Sequence, residues 1–169
     1  MDEKNFIVNE NCLLKINLDT IGSNYKKIKK KISKTSSVSA VLKSNAYGLG
    51  LSCIAGRLIE IGCKSFFLNS IKETLHLRKI CQNSDIYLLN GLVNISREDI
   101  KEVLGKNIIP VINSLDDLEK LIKLKEDCNN FISISLHFDT GINRLGIRQN
   151  DLEKIKDICK QNSIEVKCV

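Results

Sequence analysis

The stretch Val38-Ser39-Ala40-Val41-Leu42-Lys43-Ser44-Asn45-Ala46-Tyr47-Gly48-Leu49-Gly50 decides the fold. Its first five residues form a short apolar run rich in β-formers, which reads as a strand. A lysine follows the strand, and a tyrosine and two glycines come soon after. A dinucleotide-binding doubly wound sheet carries Gly-x-Gly-x-x-Gly after its first strand. Here Gly48 and Gly50 are followed only by Gly56, so that spacing fails. The other architecture with the same strand–helix rhythm is the (β/α)8, TIM-type barrel, and it is the fold expected.

Working outward, similar runs recur at Ser65–Leu68, Ile86–Leu89, Ile108–Ile112 and 131–138, with a sixth at Ile164–Val169. Most are continuously apolar, as strands buried on both faces should be. Their spacing is that of compact βα units with short loops. Pro110 is a difficulty, because proline cannot donate to a strand ladder; it is expected near the start of its strand. Helical periodicity fills the gaps. Ile21, Tyr25, Ile28 and Ile32 share one stripe, and Leu51, Ile54, Ala55, Leu58 and Ile59 another. Ser70-Ile71-Lys72-Glu73 has the spacing of a capping box, with its helix continuing through Leu75 and Ile80. A weaker helix runs from Ser96 to about Leu104. Leu115, Leu118, Leu121 and Ile122 follow Ser114. Asn150 or Asp151 should cap the last helix, with Leu152, Ile155 and Ile158 inward. Residues 14–169 thus read as one α/β domain, an incomplete barrel of about five βα units plus the start of a sixth strand. Residues 1–13 are expected to be loosely ordered.

Composition narrows the function. The net charge of +6 owes much to Lys26-Lys27-Ile28-Lys29-Lys30-Lys31. Those lysines fall on the outer face of an amphipathic helix and lack an aromatic platform, so no nucleic-acid partner is expected. No apolar stretch has the length of a membrane span. The seven cysteines are odd in number and include no Cys-x-x-Cys pair. That spacing writes neither a zinc site nor a dithiol motif. Reduced cysteines within apolar segments, and an acidic, polar N-terminus unlike a secretory signal, point to the cytoplasm.

Barrel enzymes keep their reactive groups at the C-terminal ends of the strands. Lys43 ends the first strand, and a neutral amine there can form an imine with an aldehyde cofactor. Asp139-Thr140-Gly141-Ile142-Asn143-Arg144-Leu145-Gly146 follows the fifth strand on the same face. A glycine-bounded loop presenting Arg144 suits a carboxylate or an oxyanion, which a guanidinium binds with two hydrogen bonds.

The run Ala40–Gly50 resembles the pyridoxal-phosphate motif of alanine racemases, and Asp139–Gly146 resembles their second motif. The likeness extends from about Leu14 to Val169, including Ile16-Asn17-Leu18-Asp19. It implies that Lys43 binds pyridoxal 5'-phosphate and is one of two acid/base groups at the substrate α-carbon. It implies that Tyr47 helps bind the cofactor phosphate and that Arg144 reaches the cofactor's phenolic oxygen and the substrate carboxylate. The implied reaction interconverts L-alanine and D-alanine, supplying D-alanine for peptidoglycan. Family members often carry a carbamylated lysine at the position of His137, where it orients the arginine. Here a neutral imidazole would take that role, or His137 is a packed strand residue. The family is homodimeric, and its opposite-face tyrosine comes from a C-terminal β domain that is absent here. The chain is therefore expected to be the N-terminal part of such an enzyme. Two alternatives are a non-enzymatic module that binds the cofactor and an inactive truncated remnant.

Overall fold

The computed structural model describes residues 14–128 and 132–169. The expected loose segment 1–13 and the start of the fifth run at Phe131 lie outside the described residues. Six strands form one sheet: β1 (Ala40–Val41), β2 (Ser65–Leu68), β3 (Asp85–Leu88), β4 (Ile108–Ile112), β5 (Ser133–Leu136) and β6 (Glu165–Cys168). All neighbours are parallel and the spatial order is the sequence order, β1 to β6. A doubly wound sheet reverses its strand order at a switch point. This one does not, so the fold is a barrel winding with β1 and β6 as open edges.

The helices are α1 (Leu18–Lys31), α3 (Leu51–Glu60), α4 (Ile71–Ile80), α5 (Arg97–Gly105), α6 (Leu115–Cys128) and α7 (Leu152–Gln161). A single turn, α2 (Lys43–Tyr47), follows β1, and a 3-10 turn (Gln149–Asp151) precedes α7. The side-chain period of two divides the sheet into two faces. Phe66, Leu68, Ile86, Leu88 and Ile108 pack with Leu51, Ile54, Leu58, Leu77 and Val103 of the helices. Ile112 and Ile134 pack with Leu118, Leu121 and Ile155. On the opposite, concave face Tyr87, Ile109 and Val111 cluster with Phe67 and Leu89. The Phe67 and Tyr87 rings stack there with centroids 4.3 Å apart. Each fully buried Phe, Leu or Ile contributes about 1.5–3 kcal/mol by leaving water.

Four expectations are corrected. Leu152, expected inward, is 40% exposed; Ile155 and Cys159 are the buried residues of α7, and Asp151 precedes that helix without a side-chain capping bond. Ile28 is 52% exposed, because α1 buries Gly22 and Tyr25 instead. Gly22 lies close to Arg57 and Ile61, and its missing side chain lets α1 approach α3 on a rotated stripe. Ile80 is 40% exposed, and Thr74 and Leu77 are the buried residues of α4. The Thr74 hydroxyl donates to the Ile71 carbonyl at 2.8 Å, so a polar residue can take the buried position. Pro110 lies in the middle of β4, not near its start. The Ile112 carbonyl accepts from the His137 N–H, so alternation turns the Pro110 backbone towards β5. The β4–β5 register begins one residue later, at Val111↔Ser135, and the absent N–H falls outside it.

Arg78 closes the N-terminal rim of the sheet. Its Nη1 donates to the carbonyls of Cys81, Gln82 and Ser84 at 3.2, 3.0 and 2.8 Å. Its Nη2 donates to the Asn107 carbonyl at 2.8 Å. One guanidinium thereby ties the end of α4 to the entries of β3 and β4.

Candidate functional site

At the C-terminal rim β1 stops after two residues, and the chain turns the other way. Ser44, Asn45 and Ala46 have φ/ψ near +55°/+50°, and Tyr47 has φ of 56°. Left-handed helical backbone costs about 1–2 kcal/mol per non-glycine residue, so four in succession need support. Part of it is internal: Gly48 N donates to Ser44 O, and Gly50 N to Asn45 O, each at 2.9 Å. Part comes from neighbouring helices. The Asn45 N–H donates to Glu73 Oε1 at 2.6 Å. The Leu51 N–H donates to Asn45 Oδ1 at 2.8 Å, which ties the turn to the start of α3.

Glu73 thus departs from the capping box expected of it. Ser70 does cap α4, accepting from the Glu73 N–H at 3.3 Å. The Glu73 carboxylate, however, accepts from the Ser70 hydroxyl and from Asn45 across the gap to the turn. Beside it, Ser52 Oγ and His76 Nε2 are 2.8 Å apart and join α3 to α4.

Lys43 begins this turn and is half-buried, and Tyr47 at its other end is 62% exposed. Among the described residues neither side chain has a hydrogen bond or ion pair. Lys43 and Tyr47 are therefore held by backbone, with their functional groups available.

The second motif is a loop organised by Asp139. Its Oδ1 accepts from the N–H groups of Gly141 and Asn143, each at 3.0 Å. Those donors, Asn143 first, hold the Asp139 carboxyl below the usual carboxylate range. The loop closes through Asp139 N to Ile147 O and Ile147 N to His137 O. Gly146 has φ of +122°, and a Cβ there would stand 2.6 Å from the Asp139 nitrogen. Arg144 sits exposed on this loop and lines a hollow of about 480 Å³ with Asp116, Asp117, Arg148 and Asp151.

His137 follows β5 and is exposed, so it is not a packed strand residue. It lines a different hollow, about 530 Å³, at the mouth of the concave face with Phe67, Leu89, Val111 and Thr140. Its bonded partner is Asn113, not Arg144: Nδ1 lies 2.7 Å from Asn113 Oδ1. Asn113 is 4% exposed, and its Nδ2 donates to the carbonyls of Leu89 and Val111. Its Oδ1 is thus the acceptor and His137 donates from Nδ1. The Asn113 N–H in turn donates to Asp117 at the start of α6. Burial pushes the Asp117 carboxyl up from its ordinary 3.8.

Lys43, Tyr47, His137 and Arg144 thus all follow strand ends on one rim, but Arg144 and His137 line separate hollows and Lys43 lines neither. Asn45, Glu73, Asn113 and Asp117 were not among the expected site residues. Glu73 and Asp117 were signalled only by the Ser-x-x-acid spacings at Ser70–Glu73 and Ser114–Asp117, Asn45 lay inside the Ala40–Gly50 motif, and Asn113 had no signal.

Residues 16–169 match the family profile described as alanine racemase, N-terminal domain. The chain belongs to the alanine racemase family. Among curated relatives, the alanine racemase of Rickettsia africae is 39% identical over 145 residues, which is 85% of this chain and 40% of the relative. That of Rickettsia prowazekii is 37% identical over 145 residues, 85% of this chain and 35% of the relative. The chain thus spans about 40% of the length of such relatives. The crystal structure of alanine racemase from Bartonella henselae, with covalently bound pyridoxal phosphate, superposes with a TM-score of 0.80. It is 33% identical, and the match covers 90% of this chain and 44% of that one. These likenesses agree with the barrel winding of the sheet. No helix among the described residues is long and apolar enough to cross a membrane.

Proposed function

We propose that this chain supplies the lysine-bearing part of a pyridoxal-phosphate-dependent racemase that interconverts L- and D-alanine. The observation that carries the reading is Lys43. It stands at a strand end on the C-terminal rim of a family barrel whose Bartonella henselae relative holds pyridoxal phosphate covalently.

The residues present fit the cofactor in two respects. An aldehyde needs an amine engaged by no other side chain, and Lys43 has one. A phosphate needs a donor at the rim, and the exposed Tyr47 hydroxyl is one turn along the chain. When bound, the cofactor supplies an electron sink for deprotonation at the α-carbon of an amino acid. Lys43 then takes or returns the α-proton on one face of the substrate, and Arg144 offers its fork to the carboxylate. His137 is held by Asn113 on a hollow separate from that of Arg144, so it does not orient the arginine here. Racemisation needs a second base on the other face, which Lys43 cannot reach. The free thiols of Cys53, Cys63, Cys81, Cys159 and Cys168 suit a reducing, cytoplasmic compartment.

Exchange of the alanine α-hydrogen with deuterated water tests the reading and needs only one base. With pyridoxal phosphate and this chain, exchange should exceed that of the cofactor alone and fall to that background in Lys43→Ala. Equal exchange by the variant contradicts the role of Lys43. Cofactor binding without exchange would favour the non-enzymatic module.

A further inference from the structure

We propose that Glu73 is a positioning residue: its carboxylate holds the left-handed turn that joins Lys43 to Tyr47. The inference rests on the reading of Lys43 as the cofactor lysine and adds to it a residue from a different βα unit. A helical turn leaves its leading N–H groups without partners inside the turn. In α2 the N–H of Asn45 is such a group, and Glu73 Oε1 takes it at 2.6 Å.

Three features separate this contact from ordinary helix capping. At the third position of α4, a capping-box glutamate turns back to the N–H of its own cap residue. Glu73 reaches across to another element instead. Its second oxygen accepts from the Ser70 hydroxyl at 2.9 Å, which fixes the carboxylate's direction. The residue it holds is itself anchored a second time, through Asn45 Oδ1 to the Leu51 N–H. Asn45 is thus gripped by α4 through its backbone and by α3 through its side chain. The Ser52–His76 contact fixes the two helices to each other close by. Glu73 touches neither Lys43 nor Tyr47 by hydrogen bond. It acts through the backbone between them, setting where the Tyr47 hydroxyl stands relative to the Lys43 amine.

The proposal turns on reach rather than on charge. Glutamine has the same length and keeps an acceptor oxygen for Asn45. Aspartate keeps the charge at the start of α4 but is one methylene too short. Two measurements on the full chain decide it. One is amide hydrogen exchange of Asn45, made without cofactor. The other is the pyridoxal phosphate concentration that gives half-maximal borohydride labelling of Lys43. In Glu73→Asp and Glu73→Ala, Asn45 exchange should rise by about tenfold and the labelling concentration by a similar factor. Glu73→Gln should stay within about threefold of wild type. Thermal unfolding identifies any variant that fails to fold, and the Gln–Asp pair still decides if Glu73→Ala does. Wild-type behaviour of Glu73→Asp, or equal loss in Asp and Gln, overturns the proposal. Failure of the wild-type chain to label at Lys43 would sink the cofactor reading, while Asn45 exchange would still decide whether Glu73 holds the turn.

Discussion

Arg78 and Asn45 mark opposite rims of one sheet, and the chain treats the two rims differently. At the N-terminal rim, a single guanidinium gathers four backbone carbonyls at the entries of β3 and β4. Both its terminal nitrogens go into structure. At the C-terminal rim, backbone, amide, hydroxyl, carboxylate and imidazole groups make the structural hydrogen bonds, while among the described residues Lys43, Tyr47 and Arg144 keep their functional groups uncommitted. That rim carries four left-handed residues in succession, a glycine at φ of +122° and a buried carboxylate, whereas the N-terminal rim has only single left-handed residues, at Gly62, Asn107 and Ser163. Strain of this kind persists only where surrounding contacts over-determine it. Barrels divide labour in this way, with reactivity at one end of the strands and stability at the other.

The largest break in that contrast should come from Arg78→Ala. It strands four carbonyls and should lower the unfolding free energy in urea by about 3 kcal/mol. Labelling of Lys43 should be unchanged at temperatures where the variant is folded. Arg78→Lys should recover little, because one ammonium cannot reproduce the fork. A loss below about 1 kcal/mol would show that the N-terminal rim does not depend on this residue.

Gly146→Ala comes next and acts on the other rim. A Cβ would meet the Asp139 nitrogen at 2.6 Å, on a backbone conformation that favours glycine. The loop should lose about 2 kcal/mol of local stability. Amide exchange at Asn143 should quicken, while Arg78 and its carbonyls remain unaffected. Unchanged exchange at Asn143 would mean that Gly146 does not set the loop.

The smallest effect concerns Asp117. Burial raises its folded pKa above the ordinary value of 3.8, so the folded chain holds the proton more tightly than the unfolded one. Its contribution therefore favours folding at low pH and is lost as pH rises from about 3.8 through the folded value. Asp117→Asn keeps an oxygen for the Asn113 N–H and removes the titration. Stability at neutral pH should rise by less than about 1 kcal/mol, and the slope of stability against acid pH should flatten. An unchanged slope would remove Asp117 as its source.

The sequence and the two rims differ in legibility for the same reasons. β2 and β4 could be bounded to the residue, because continuous runs of Phe, Ile, Val and Leu between polar segments leave few other conformations. The barrel winding followed from a glycine spacing that failed. The strand-end positions of Lys43 and Arg144 were legible through motif and spacing. The left-handed turn was not. Of Ser44, Asn45, Ala46 and Tyr47, only asparagine tolerates that backbone readily, and the contact that supports it comes from Glu73, 28 residues away. Helix stripes misled wherever a small or polar residue took the buried place. Gly22 turned α1, and Thr74 hid the inner face of α4 behind a satisfied hydroxyl. The partner of His137 is Asn113, whose buried amide has no periodic signature.

The most direct test of the C-terminal rim is borohydride fixation of pyridoxal phosphate followed by peptide mapping. The chain has many exposed lysines, including Lys26, Lys27, Lys29, Lys30 and Lys31 on α1, so selectivity is the informative quantity. At low cofactor concentration, label should be concentrated on Lys43, with a visible imine band that is lost in Lys43→Ala. Label spread evenly over the exposed lysines, with the band undiminished in Lys43→Ala, would contradict the account.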